Sequence, residues 1–173
     1  MLESKPKIIG ITGWKNSGKT TLTERLVAEL VSRGFRIATV KHAHHEFDID
    51  HEGRDSFRHR KAGASEVAVV SSKRWALIHE LAGESEPPLD TVIGKLAPCD
   101  LIIVEGYKRE GHPKIEVRRQ GAKESAPLAP DDPSIIAIAS DIDIGSQNLP
   151  VFHLDDAAAI VDFVSGLFLL NRR

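Results

Sequence analysis

Eight consecutive residues, Gly13-Trp14-Lys15-Asn16-Ser17-Gly18-Lys19-Thr20, set two glycines, a lysine and a hydroxyl at the spacing GxxxxGK[ST]. That pattern supplies what a triphosphate needs. Gly13 and Gly18 permit a tight turn with no Cβ in the way, so that backbone N–H groups converge on phosphate oxygens. Lys19 is placed to reach the β and γ phosphates, and Thr20 to offer its hydroxyl to Mg²⁺. The helix expected to follow would turn its positive end toward the same anion.

A second carboxylate-bearing stretch follows much later. Asp100-Leu101-Ile102-Ile103-Val104-Glu105-Gly106 is an apolar run closed by an acid and a glycine, the form of a Walker B strand, and Glu105 would emerge beside the loop to hold Mg²⁺ directly or through water. Between the two lies a charged segment that contains Asp48, Asp50 and Asp55, candidates for Mg²⁺ coordination or for orienting a water. It follows a strand whose carboxyl end would border the ligand crevice. A solvated loop is the plainer reading of the same residues. His42, His44, His45, His51 and His59 crowd this region. Imidazole binds Zn, Ni and Cu, yet the spacing fits no zinc pattern and no cysteine is near, so hydrogen bonding to phosphate or water is the simpler role. Asp141, after a late apolar run, is placed to accept from the guanine N1 and N2 donors, although the NKxD tetrapeptide is absent. Six Lys or Arg residues against two Glu between positions 107 and 123 could receive an anionic ligand or an acidic partner, or could form a solvated face.

These residues need a scaffold, and the hydrophobic pattern predicts one. Residues 7–12 read as a short buried strand feeding the loop, and residues 21–33 as a helix with Leu22, Leu26 and Leu30 on one stripe, closed by Gly34. A strand over 36–41 completes a parallel βαβ unit. A short cationic helix is expected over 55–64. Two β-prone runs, 66–71 and 74–81, have hairpin spacing. This hairpin, 67–81 in its apolar part, reads either as a dimer arm or as an extension of the sheet of one subunit. A short helix over 90–96, strands over 114–118, 135–139 and 151–154, and a terminal helix capped by Asp155 or Asp156 complete the chain. The expected fold is α/β and P-loop NTPase-like: a mostly parallel sheet flanked by helices, with an added β-hairpin.

With 173 residues, 41% hydrophobic, one globular domain over 1–173 is expected. A formal net charge of −2 gives no global electrostatic reason for nucleic-acid or membrane binding. The single Cys99 excludes an intrachain disulfide framework, and the first residues lack the apolar core of a signal peptide, so a cytoplasmic location is expected. The most apolar tract, 157–170, contains Asp162 and is too short to span a bilayer.

Taken together, GWKNSGKTTL, TVKHAHHEFDIDHEGRDSFRHRKAGA, DLIIVEGYK and PKIEVRR resemble the molybdopterin-guanine dinucleotide biosynthesis protein B (MobB) family over nearly the whole chain. The second motif is the most specific of the four. The resemblance implies a GTP-binding, homodimeric adapter, at most a slow Mg²⁺-dependent GTPase. It would accompany the molybdenum cofactor guanylyltransferase that attaches GMP to molybdopterin, with molybdopterin itself a further candidate ligand. Carried over by residue, Gly13 and Asn16, Ser17, Gly18, Lys19, Thr20 and Thr21 would hold the phosphates, Thr20 and Glu105 the Mg²⁺, while Asp48, Asp50 and Asp55 would form a switch-like loop. GTP would order the segment 42–55. Hydrolysis would be slow because neither an arginine finger nor a water-positioning Gln is evident, Arg54, Arg58 or a second subunit being the candidate sources. Two other classes fit the same loop: a nickel-insertion GTPase, favoured by the histidines, and a small-molecule kinase, which would need a second substrate pocket.

Overall fold

The computed structural model describes residues 6–43, 47–122, 126–145 and 147–170. The fold divides into two compact units, one formed by Met1–His42 with Ile93–Arg173, the other by Ala43–Val92.

The first unit is built on apolar runs that form strands β1 (Ile8–Thr12), β2 (Ile37–Lys41), β5 (Leu101–Glu105), β6 (Lys114–Arg118), β7 (Ile135–Ser140) and β8 (Val151–His153). They make one six-stranded sheet in the order β2-β5-β1-β6-β7-β8, and every neighbouring pair is parallel. Near-continuous Ile, Leu and Val runs are what parallel strands require, because helices cover their faces; β5 is buried at every position. Register then does the functional work. Ile11 of β1 pairs with Glu105 and Thr12 with Glu116, so a carboxylate from each neighbouring strand flanks the end of the strand that feeds the glycine-rich loop.

Helix α1 (Lys19–Ser32) leaves that loop and buries Leu22, Leu26 and Leu30, spaced four apart on one face. It packs beside α4 (Ala157–Phe168), whose buried face is Ile160, Val161 and Val164. Of the two acids expected to cap α4, Asp156 does so, accepting from Ala159 N at 3.0 Å. Asp155 instead pairs with Arg25 of α1. Asp162, the acid within the apolar tract, is the partner of Arg33. Among the described residues no helix is long and apolar enough to cross a membrane.

Leu26 is 1% exposed inside this core. Leu26→Ala is expected to lower the unfolding free energy by about 2–5 kcal/mol, through lost transfer energy and the cavity left behind. A urea titration followed by circular dichroism checks it; a midpoint shift worth under about 1 kcal/mol would contradict this packing.

The second unit carries α2 (Asp55–Lys61) and the hairpin of β3 (Glu66–Val70) and β4 (Trp75–His79), antiparallel with Val70 opposite Trp75. Ser71 closes the turn: its hydroxyl donates to Arg74 O at 2.9 Å and accepts from Lys73 N and Arg74 N. This side-chain bonding explains a hairpin without glycine or asparagine in its turn. The two strands form a separate sheet and do not extend the parallel one. Helix α3 (Leu89–Ile93) is shorter than the 90–96 expected.

Candidate functional site

The loop between β1 and α1 holds its shape through backbone conformations that its residue types permit. Gly13 has φ 149° and Gly18 φ 94°, and Asn16 sits at φ 64°, a left-handed conformation asparagine tolerates better than most residues. A Cβ on Gly13 would lie 2.6 Å from Ser17 Oγ and 2.7 Å from Val117 O, so the loop is seated directly on the end of β6. Gly18 begins α1 with no side-chain cap, which leaves the first-turn N–H groups free of side-chain competitors. A cavity of about 320 Å³ opens there, lined by Asn16, Gly18, Lys19, Thr20, Thr21 and Arg119.

Charge converges on this cavity. Lys19 folds over the loop, its ammonium donating to Trp14 O at 2.7 Å and Gly13 O at 3.2 Å. Burial pushes its pKa down; Glu105 opposes that shift, and the neighbouring Lys108 and Lys41 reinforce it. The Thr20 hydroxyl donates to Glu105 Oε1 at 2.9 Å, and Lys41 Nζ stands 3.5 Å from the same oxygen. Lys19 therefore feels two further ammonium groups and one carboxylate, an imbalance that a polyanion would relieve. Thr20 and Glu105, far apart in sequence, come together as an oxygen pair suited to a hard divalent cation. Lys108 also lies 4.2 Å over the Trp14 ring. Beside it, Gly106 at φ 94° lets His42 approach to within 2.9 Å of where a Cβ would stand, and the His42 and Tyr107 rings meet at 4.8 Å.

The other expected residues have different surroundings. Within the second unit, Arg60 binds Asp48 at 2.8 Å, Asp50 at 3.5 Å and Glu80 at 2.5 Å. These contacts hold the Asp48 carboxyl below its ordinary range, chiefly through the Arg60 hydrogen bond, and drive the Arg60 pKa further up. Asp50 also accepts from Ser56 Oγ, whereas Asp55 is exposed and only 3.8 Å from Arg58. Among the described residues no group of three His, Cys, Asp or Glu is disposed to hold a metal ion. His44 and His45 lie outside the described residues.

Asp141 stands at the end of β7, with one oxygen accepting from Gln120 N at 2.9 Å and the other 3.5 Å from Arg119. The basic stretch is less exposed than its composition implies. Lys114 is fully buried against Asp132, Ser134 and Glu110 O, and Arg118 pairs at 2.8 Å with Glu116, itself 1% exposed. Two of its cations are therefore interior ion pairs. A further cavity of about 310 Å³ adjoins the loop on this side, walled in part by Trp14, Ser17, Glu116 and Arg118.

Lys41 has no sequence signal as a site residue, and Lys108, Glu116 and Arg118 stand out only as part of the basic stretch 107–123. Their charges were legible. Their convergence depends on strand order, which no local pattern encodes.

Residues 8–141 match the family model described as molybdopterin guanine dinucleotide synthesis protein B. The molybdopterin-guanine dinucleotide biosynthesis adapter protein of Escherichia coli (strain K12) is 39% identical over 159 residues, covering 91% of this chain and 90% of the relative. That of Haemophilus influenzae is 39% identical, covering 92% and 88%. Two solved structures share the fold: the MobB protein homolog from Bacillus stearothermophilus, with TM-score 0.68, 28% identity and coverage of 94% and 97%, and a molybdopterin-guanine biosynthesis protein B, with 0.71, 28%, 92% and 99%.

Proposed function

This chain belongs to the molybdopterin guanine dinucleotide synthesis protein B family, and from that premise we propose that it is a GTP-binding adapter in the assembly of molybdopterin guanine dinucleotide. Its partner is the guanylyltransferase that joins GMP to molybdopterin. The observation that carries the nucleotide half of this reading is the Thr20 hydroxyl 2.9 Å from Glu105, beside a lysine folded over a glycine loop. Gly13, Asn16, Ser17, Gly18, Lys19, Thr20 and Thr21 hold the phosphates. Thr20 and Glu105 hold magnesium, which when bound neutralises phosphate charge.

Turnover is slow in this reading. No glutamine lies in the loop or directly after Glu105 to position an attacking water. Asp48, Asp50 and Asp55 form the nucleotide-responsive loop, with the Arg60 pairs setting its resting shape. The chain acts as a homodimer through the 67–81 hairpin, and it works in the cytoplasm.

Calorimetric titration with GTP and with ATP, each with Mg²⁺, tests the nucleotide. GTP is expected to bind at least tenfold more tightly; equal or stronger ATP binding would remove the guanine assignment. Co-purification with a molybdenum cofactor guanylyltransferase, dependent on GTP, tests the adapter role, and an equal yield without nucleotide would separate docking from GTP.

A further inference from the structure

The cavity beside the loop contains polar groups whose bonding is incomplete. Its walls are largely apolar, with Trp14, Pro127, Ile142 and Ile144 among them, which suits the faces of a flat ring. Two of the residues that line it, Arg118 and Ser17, each carry a buried polar atom without a hydrogen-bond partner, Arg118 Nε and Ser17 Oγ. A buried unmade N–H donor is costly, so such atoms mark where a ligand or water completes the structure. Next to Arg118 lies Glu116, which accepts from Leu128 N at 2.8 Å through Oε1, and from Ala129 N at 3.0 Å and Arg118 at 2.8 Å through Oε2. A carboxylate has about four acceptor positions, so one remains, on Oε1. The cavity wall thus holds a buried donor and a buried acceptor on neighbouring residues, Arg118 and Glu116.

The geometry points to this cavity as a recognition site for the cyclic-amide edge of a fused pyrimidinone, a carbonyl oxygen next to a ring N–H. Arg118 Nε donates to the carbonyl, and Glu116 Oε1 accepts from the ring N–H. Trp14 and the Ile142–Ile144 side contact the ring faces. At about 310 Å³ the cavity is at the small end of ligand pockets, enough for a bicyclic ring and not for a whole nucleotide. Arg119 lines both this cavity and the one over Lys19, so the two adjoin at that residue. Asp141, whose oxygens face Gln120 N and Arg119, does not line this cavity. The proposal rests on the nucleotide reading for its ligand class: guanine and the pterin of molybdopterin both present this edge.

The test uses the full-length protein with four probes: tripolyphosphate with Mg²⁺, GTP with Mg²⁺, ATP with Mg²⁺, and neopterin without phosphate. Binding is read by calorimetry and by Trp14 fluorescence in a Trp75→Phe background. Two variants accompany the parent protein. Arg118→Lys keeps a positive charge beside Glu116 and loses the Nε donor. Ile142→Glu places a charge at the cavity mouth, at a residue already 40% exposed, so it tests the cavity even if changing Arg118 disturbs the fold.

The expected result is a probe whose affinity both variants reduce about tenfold, with fluorescence quenching lost in parallel. If that probe is GTP, with a gain over tripolyphosphate that ATP lacks, the occupant is the nucleobase. If it is neopterin, the occupant is the pterin. The proposal is overturned if neopterin fails to bind and ATP gains as much as GTP, if both variants bind every probe like the parent, or if neopterin fails to bind and GTP shows no gain over tripolyphosphate. Tripolyphosphate reports the loop alone: its binding with no gain from either ring sinks the cavity assignment and leaves the loop reading standing. Its failure beside bound neopterin does the reverse.

Discussion

Lys19→Ala is expected to weaken GTP binding by about 2–5 kcal/mol, roughly thirtyfold to several thousandfold. The reasoning starts from the unliganded geometry. Lys19 is already folded over the loop, donating to Gly13 O and Trp14 O, so its ammonium is positioned before a ligand arrives and little rotamer entropy is lost on binding. It is also partly desolvated, with Lys41 and Lys108 close enough to lower its pKa. An anion gains from all three charges in a partly buried site where screening is weak. Alanine removes the most deeply placed of them and leaves two loop carbonyls to water. That second effect costs under about 1 kcal/mol per bond, so the melting temperature should move by only a few degrees while binding collapses. Titration calorimetry and a thermal scan of the same sample separate the two. Retention of GTP affinity within threefold would contradict the assignment of this loop to phosphate.

In the homodimer proposed above, replacing Trp75 with aspartate is expected to give a monomer. Pairing of Val70 with Trp75 and of Ala68 with Leu77, together with the two-residue side-chain period, sets Val70, Trp75 and Leu77 on one face of the hairpin. They are 74%, 69% and 47% exposed. Three large apolar side chains on one face of a two-stranded sheet are what a second copy of the same face would cover. A two-fold interface uses each residue twice, so a central tryptophan worth about 2 kcal/mol per copy contributes about 4 kcal/mol, roughly a thousandfold in the dissociation constant. Aspartate adds a buried like-charge pair to that loss. Light scattering at micromolar concentration should report half the parent mass, with far-ultraviolet circular dichroism unchanged. A parent protein that already scatters as a monomer would remove the hairpin from the interface.

Much of the fold was open to reading because its determinants are local. The glycine-rich loop needs particular residues at particular offsets, and Gly13, Asn16 and Gly18 adopt the positive φ values such a turn requires. The strands are short apolar runs, and the stripe of Leu22, Leu26 and Leu30 has helical spacing whatever surrounds it. Thr20 and Glu105 can be paired from sequence only because an acid-ended strand is the usual companion of such a loop. Other residues misled for the converse reason. Lys114 and Arg118 looked like members of a basic surface; their neutralising partners, Asp132 and Glu116, are set by strand pairing and burial, which charge counting ignores. Asp48 and Asp50 are legible in the sequence as carboxylates of a charged loop, while their ion pairs with Arg60 on α2, which also binds Glu80, are set by contacts that no local pattern encodes.

By itself, then, the sequence determined the loop conformation, the elements and the chemistry toward phosphate, since each depends on residue types within a few positions of one another. The tertiary structure decided which charges meet. Inserting β5 between β2 and β1 brings Lys41 and Thr20 to one oxygen of Glu105, and setting β6 on the other side of β1 brings Glu116 and Arg118 to a cavity that Trp14 also lines. Strand order is fixed by burial of both sheet faces over the whole chain, a global free-energy minimum with no local signature, so the ring-sized cavity it creates could be seen only in three dimensions.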